Sequence, residues 1–323
     1  LAGCSLRAEP VRPATSPMPP SVSTFSGDTM GTQYHVSVVS AGRKPDALQR
    51  EIDARLAAVD TAMSTWRTDS ELSRFNAHRG TDWVPVSRPL YTVLAAARAV
   101  SEETDGAFDV TIGPVVDLWG FGPQRRAPAP PPADALAAAR VRVGYRLLQL
   151  ADDPPRVRKG RADVHVDLSA IAKGYAVDRV AAALDAAGHA HYLVEVGGEI
   201  RSRGQRAEGT PWRVGVAMPA ADTAIVERVL ALRDTSLATS GDYRQFFEYA
   251  GQRYSHEIDP VTARPIAHAL AAVTVLADTC MRADALATGL LVLGPERGPA
   301  RARELGLTAL FLVRRGNGFD ARV

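Results

Sequence analysis

The sequence predicts an α+β fold with a mixed order of helices and strands, and two observations carry that reading. Apolar residues fall at helical spacing in some stretches and at strand spacing in others: Leu48, Ile52, Leu56, Val59 and Met63 form one stripe, whereas TQYHVSVV at 32–39 alternates. These stretches also follow one another without the regular unit of a doubly wound sheet or a closed α/β barrel, and without an internal repeat.

Taken in order, Leu1-Ala2-Gly3-Cys4 reads as the end of a bacterial lipoprotein signal, in which small residues precede a cysteine that takes the lipid. Ser5 to Thr24 carries Pro10, Pro13, Pro17, Pro19 and Pro20 among Ser, Thr and Arg, a composition that stays extended. Residues 1–24 are therefore expected to be a signal remnant and tether, and residues 25–323 one folded domain. The 323 residues are 46% hydrophobic and 23% charged, an ordinary globular composition that can bury a sizeable core. A net charge of +2, with no Lys/Arg run interleaved with aromatics, argues against nucleic acid as a partner. No apolar run reaches the roughly 18 residues of a membrane-spanning helix. Besides Cys4 the chain has only Cys280, which reads as a small buried apolar residue.

Met30-Gly31 makes a turn before the 32–39 strand, and the stripe from Pro45 to Met63 makes a helix. Asp69 or Ser70 can cap a short helix after it, and Trp66, in a polar connection, is a candidate platform for a ring. Pro89 to Glu103 is a second amphipathic helix, ending at Thr104-Asp105-Gly106. The next stretch, 107–122, is dense in Gly and aromatics and either lines a ligand or turns a corner of the core. PQRRAPAPPP at 123–132 is an exposed loop, followed by a helix over 133–142 capped by Asp134 and by strands over 143–150 and 156–166. Tyr192 to Val196, Trp212 to Met218 and Val226 to Leu232 are further strands, with Gly197-Gly198 marking a bulge or close backbone approach.

VDLSAIAKGYAV at 166–177 runs from a strand through a polar turn into a helix, a junction whose unpaired N–H groups favour an anion, or which Asp167 and Ser169 cap themselves. Near the C-terminus, Tyr254-Ser255-His256-Glu257-Ile258-Asp259-Pro260 sets an imidazole beside two carboxylates, where His256 is either a general base or hydrogen-bonded to Asp259. Asp284 and Thr288, four apart on an apolar helix running to Leu293, share one face. A carboxylate there needs a partner: an arginine such as Arg282, or a hard cation, for which carboxylate, hydroxyl and backbone carbonyl are suitable ligands. The absence of a P-loop, a G-x-S-x-G elbow and a G-x-G-x-x-G turn removes support for several nucleotide and hydrolase folds.

Together these stretches resemble the ApbE family of FAD:protein FMN transferases. The resemblance rests on Met30-Gly31-Thr32, MSTW at 63–66 with DSELSRFN at 69–76, DGAFDVTIGP at 105–114 with LWGFG at 118–122, DLSAIAKGYAVD at 167–178, VEVGGE at 194–199, YSHEIDP at 254–260 and ADALAT at 283–288, in that order. It implies largely antiparallel sheets flanked by helices, and transfer of FMN from FAD to a Thr or Ser hydroxyl of a protein, with AMP leaving. By matching positions, magnesium would be held by Asp284, Thr288 and the carbonyl of Ala170; FAD would contact Met30, Trp66, Ala107, Phe108, Asp109, Asp167, Lys173 and Ile258; and His256 would be the base. The implied acceptors are flavin subunits of membrane redox complexes, and the implied location is the periplasmic face of the bacterial inner membrane, through a lipid on Cys4. An FAD pyrophosphatase and a non-catalytic flavin-binding lipoprotein are the alternatives. The Pro-rich loop beside LWGFG bears on access for a protein substrate, and the chain's end soon after a Phe311–Val313 strand suggests a short final strand.

Overall fold

The computed structural model describes residues 21–40, 45–124, 126–217, 226–316 and 318–323. The expected lipid-bearing Cys4 and the tether up to residue 20 lie outside the described residues, as does Met218, the expected end of a strand from Trp212.

The first half contains β1 (Ser21–Thr29), β2 (Thr32–Ser40), α1 (Pro45–Met63), α2 (Glu71–Ala77), β3 (Val84–Pro85), α3 (Arg88–Glu103), α4 (Gly113–Leu118), α5 (Ala133–Arg140), β4 (Leu148–Ala151), β5 (Arg156–Lys159) and α6 (Ala172–Ala186). The second half contains β6 (Tyr192–Val196), β7 (Glu199–Arg203), β8 (Trp212–Ala217), β9 (Val226–Leu232), β10 (Ser236–Gly241), β11 (Phe246–Tyr249), β12 (Gln252–Ser255), β13 (Ile258–Asp259), β14 (Arg264–Pro265), β15 (Leu270–Ala277), α7 (Cys280–Glu304), β16 (Thr308–Arg315) and β17 (Gly318–Arg322).

Eight strands form one sheet in the order β1-β2-β6-β7-β10-β15-β16-β17, and every pairing in it is antiparallel. The expected α+β class with largely antiparallel sheets is what the chain adopts. In β2 the alternation sorts the side chains by face: Tyr34, Val36 and Val38 are buried, and the residues between them look away. Helices α1, α6 and α7 cover that face and share its core with Ile52, Leu56, Val180, Leu286 and Leu290. The β8–β9 hairpin covers the other face, where Trp212, Val216 and Leu232 meet Ile200, Leu237 and Leu312. A smaller core of Val115, Trp119, Leu136 and Ile258 closes beside it.

Several local expectations are corrected. β1 begins at Ser21, so Ser21 to Thr24 are strand rather than tether. Ladder pairing over 143–166 is confined to β4 and β5, and before the central turn only His165 pairs, in a parallel bridge to Ile112. Asp134 makes no capping bond to α5. Of the two readings of Gly197-Gly198 the close approach holds and the bulge does not: the pair is the two-residue turn of the β6–β7 hairpin, with φ of 61° and 103°, and a Cβ at Gly197 would lie 2.9 Å from Thr32 Cγ2. The strand expected over Phe311–Val313 is longer, β16 spanning Thr308–Arg315, and a further strand of five residues, β17, follows it at the sheet edge. The helix expected to run to Leu293 does so, for α7 is interrupted at Gly294, whose φ of 83° and ψ of −176° lie outside the helical region.

Candidate active site

The site is assembled around the start of α6. Asn76, at the end of α2, holds both polar groups of Val166: its Nδ2 donates to the Val166 carbonyl and its Oδ1 accepts from the Val166 N–H, each at 2.8 Å. The Asp167 N–H donates to the Val110 carbonyl (2.8 Å), and the Asp167 Oδ1 accepts from the Ser169 N–H (2.8 Å). This is an Asx turn, so Asp167 orders the loop and does not cap α6. The capping group is Asp284: its Oδ2 accepts from the Gly174 N–H in the first turn of α6 at 2.9 Å. A Cβ at Gly174 would meet the Cys280 carbonyl and come within 2.8 Å of the Asp284 Cβ, so only glycine lets α6 and α7 approach this closely.

Asp284 is 3% exposed and its ionic partner is Lys173, not Arg282, which pairs with Glu103 at 2.8 Å. Lys173 Nζ lies 2.8 Å from Glu199 Oε1 and 3.8 Å from Asp284 Oδ1. Two buried carboxylates thus face one ammonium. Burial raises the Asp284 pKa and lifts that of Glu199 to about 7, against the pull of Lys173. Burial works against the Lys173 ammonium, but Asp284 and Glu199 outweigh it and hold its pKa above the ordinary lysine value. The Thr288 hydroxyl, one turn further along α7, lies 2.7 Å from the Ser240 hydroxyl on β10.

The β6–β7 turn joins this cluster to the β1–β2 hairpin. The Gly197 N–H donates to the Gln33 carbonyl (3.0 Å), and a Cβ at Gly197 would lie 2.9 Å from Thr32 Cγ2 and 3.4 Å from Lys173 Cδ. Arg244 donates to the Gly197 carbonyl at 2.7 Å. Met30, at the hairpin tip with φ of 48°, lines an open cleft of about 480 Å³ with its neighbours from Asp28 to Gln33. Trp66 is 64% exposed and therefore available to a ligand, whereas the Phe108 ring is buried in the core. Phe108 nevertheless sits against α7, 3.2 Å from where a Cβ at Gly289 would lie, with Ala107 buried beside it. Asp109 accepts from the Thr111 N–H and hydroxyl and from the Tyr145 N–H, at 2.6 to 2.8 Å; burial raises its pKa against those three bonds. Ile258 belongs to the smaller core.

His256 follows β12. Its Nδ1 lies 3.1 Å from the Gln245 carbonyl, which can only accept, so Nδ1 carries a proton and in the neutral ring the lone pair is on Nε2. Nε2 is 3.6 Å from Glu257 Oε1, whose pKa burial raises. Asp259 instead accepts from the Val261 N–H and the Thr262 hydroxyl, so the bond expected between His256 and Asp259 is not made. The structure therefore brings Lys173 and Asp284 together at the start of α6, with Ala170 two residues ahead of that helix and Thr288 one turn beyond Asp284 on α7, and joins the hairpin that carries Met30 to them through Gln33, Thr32 and Gly197, while Met30 itself, Trp66, Asp109 and Ile258 have no direct bond to that cluster among the described residues.

Glu199 and Arg244 complete the cluster without having been assigned roles from sequence. For Glu199 a signal exists: a two-residue turn sets it opposite Val196, on the face that Tyr192, Val194 and Val196 bury. Among the described residues no three His, Cys, Asp or Glu side chains gather as a metal site.

An antiparallel sheet covered on one face by helices is the architecture that the chain shares with solved flavin transferases. The chain belongs to the ApbE family, whose model matches residues 30–311. It is 43% identical over 321 residues to the FAD:protein FMN transferase of Vibrio cholerae, covering 99% of this chain and 92% of that one. It is 40% identical over 322 residues to the protein of that name from Klebsiella pneumoniae, covering 99% and 91%. The solved flavin transferase ApbE of Vibrio cholerae superposes with a TM-score of 0.87 at 43% identity, over 94% of this chain and 97% of that one. The flavinyl transferase ApbE of Pseudomonas stutzeri gives 0.86 at 40% identity, over 94% of each. Like these relatives, the chain is an enzyme.

Proposed function

We propose that this chain transfers FMN from FAD to a Thr or Ser hydroxyl of a target protein, with magnesium and with release of AMP. The observation that carries this reading is the junction of α6 and α7, where the buried Asp284 accepts from Gly174 in the first turn of α6 and faces Lys173, with Thr288 one turn further along α7 and Ala170 just ahead of α6 in the chain. Clefts for a ligand lie at the Met30 hairpin and beside His256. Names shared by relatives of nearly equal length support the same reaction.

The donor chemistry fits magnesium. Asp284 Oδ1 faces Lys173 at a distance too long for a hydrogen bond, Glu199 Oε2 is buried without a hydrogen-bond partner among the described residues, and the carboxylates outnumber the ammonium. Asp284, Thr288 and the Ala170 carbonyl would hold the ion, which when bound would neutralise the diphosphate's charge. Lys173 and the N–H groups at the start of α6 favour the same phosphates. Trp66, exposed, is available to stack on a ring. The acceptor hydroxyl oxygen attacks the phosphorus of the FMN half, the bridging P–O bond breaks, and AMP departs with the bridging oxygen. Nε2 of His256 takes the hydroxyl proton, a role that suits its tautomer. The Leu1–Cys4 sequence supports a lipid anchor at the periplasmic face of the inner membrane, and flavin subunits of membrane redox complexes are the acceptors we expect there.

Incubation with FAD, magnesium and a candidate acceptor domain tests the reading. Acceptor that becomes fluorescent in a denaturing gel, with AMP released, is the expected result. Free FMN and AMP with an unlabelled acceptor would make the protein a pyrophosphatase, and no AMP at all would leave a flavin-binding protein.

A further inference from the structure

A groove of about 350 Å³ runs beside His256, between the Trp119–Pro128 loop and the start of β11. Its lining combines aromatic rings with cations: Trp119, Phe121, Phe246 and Phe247 on the one hand, Arg126 and Arg244 on the other, with no carboxylate among the described lining residues. Arg253, whose guanidinium donates to the Asp242 carbonyl at 2.9 Å, lies 4.0 Å over the Phe246 ring. Two lining residues touch the imidazole: the Gln245 carbonyl accepts from Nδ1, and the Phe121 ring meets the His256 ring edge-on at 6.3 Å. Within its small sheet β11 pairs with β12 alone, so among the described residues its other edge has no strand partner, and Phe246 on it is 48% exposed.

We propose that this groove binds an extended, acidic segment of the acceptor protein, laid along the open edge of β11 so that its hydroxyl residue reaches His256. The proposal rests on the transferase reading. Open backbone groups on β11 supply hydrogen bonds that are indifferent to sequence, the rings supply apolar contact, and Arg126 and Arg244 select negative charge on the segment. A flavin ring needs the aromatic lining but not the strand edge, and a basic segment is repelled.

The test uses a fluorescein-labelled peptide with one Thr flanked by Asp, Glu and small apolar residues, and a second peptide with every Asp and Glu changed to Lys. Anisotropy should show the acidic peptide binding the full chain, the Lys peptide not binding, and Arg126→Glu and Phe246→Ala each weakening binding about tenfold. In the FMN-transfer assay the same variants should raise the acceptor KM about tenfold while the FAD KM stays at the wild-type value. Equal binding by wild type and both variants, or no binding of the acidic peptide, overturns the proposal. A matching rise in FAD KM overturns it in favour of a flavin subsite, and a dimer that Phe246→Ala dissociates overturns it in favour of a second copy. Arg126-dependent binding without any FMN transfer would sink the transferase reading and leave the groove standing; transfer without such binding would do the reverse.

Discussion

The carboxylate of Asp284 on α7 accepts a hydrogen bond from the backbone N–H of Gly174 in α6, 2.9 Å away, so one helix supplies the N-terminal cap of another. The cap is also the residue proposed to hold the metal. Negative charge at a helix N-terminus is favourable, which offsets part of the cost of burying it beside Glu199.

Asp284→Asn separates the two roles. Its side-chain oxygen can still accept from Gly174, so the variant should melt close to the wild type, while magnesium no longer raises its melting temperature and turnover is lost. Asp284→Ala should also lose the cap, at a cost of about 1 kcal/mol. Metal-dependent turnover retained by the Asn variant would remove the metal assignment.

Glu199 gives the metal-free protein a pH-dependent stability. Its folded pKa, lifted by burial to about 7, lies above the ordinary value of 4.5. The folded state therefore holds more protons between those values, and stability falls as pH rises from 4.5 to about 7. Urea unfolding across that window should show the decline, and Glu199→Gln should reduce its slope, the part that remains coming from Asp109, Glu257 and Asp284, whose pKa values burial raises in the same sense. An unchanged slope in Glu199→Gln would place the titration elsewhere.

Asn76 holds the central turn by both of its amide atoms. Asn76→Ala strands the Val166 N–H and carbonyl, and should cost about 2 to 4 kcal/mol in denaturant unfolding, at roughly 1 to 2 kcal/mol for each unpaired group. Because the turn leads into Ala170 and Lys173, turnover should fall even where the variant is folded. A loss of stability below about 0.5 kcal/mol, on the scale of a surface change, would contradict the anchoring role.

His256→Ala should keep FAD affinity, measured by flavin fluorescence, and lower the transfer rate by about 10²- to 10⁴-fold. Transfer at the wild-type rate would reduce the imidazole to its bond with the Gln245 carbonyl.

Helix α1 was legible end to end because its stripe faces one core, and β2 because only one of its faces is buried. Strand β15 left no such mark. Every residue from Leu270 to Val275 is buried, whichever face it is on, so LAAVTVLA has no alternation to read. At the site, the four-residue spacing of Asp284 and Thr288 showed their common face, but their partners could not be read from it. Lys173 and Ser240 reach them only through tertiary packing, while the nearby Arg282 turns away to Glu103. Phe108, an implied flavin contact, has its ring buried in the core, an environment that the sequence around it does not reveal.

The break in α7 at Gly294 has a bearing on how the protein tolerates change. Helical phase is handed on residue by residue, so an insertion in an unbroken rod would rotate everything on one side of it relative to the other. Here the phase starts afresh at residue 294, and length changes in the segment that follows would leave the aim of Asp284 and Thr288 untouched.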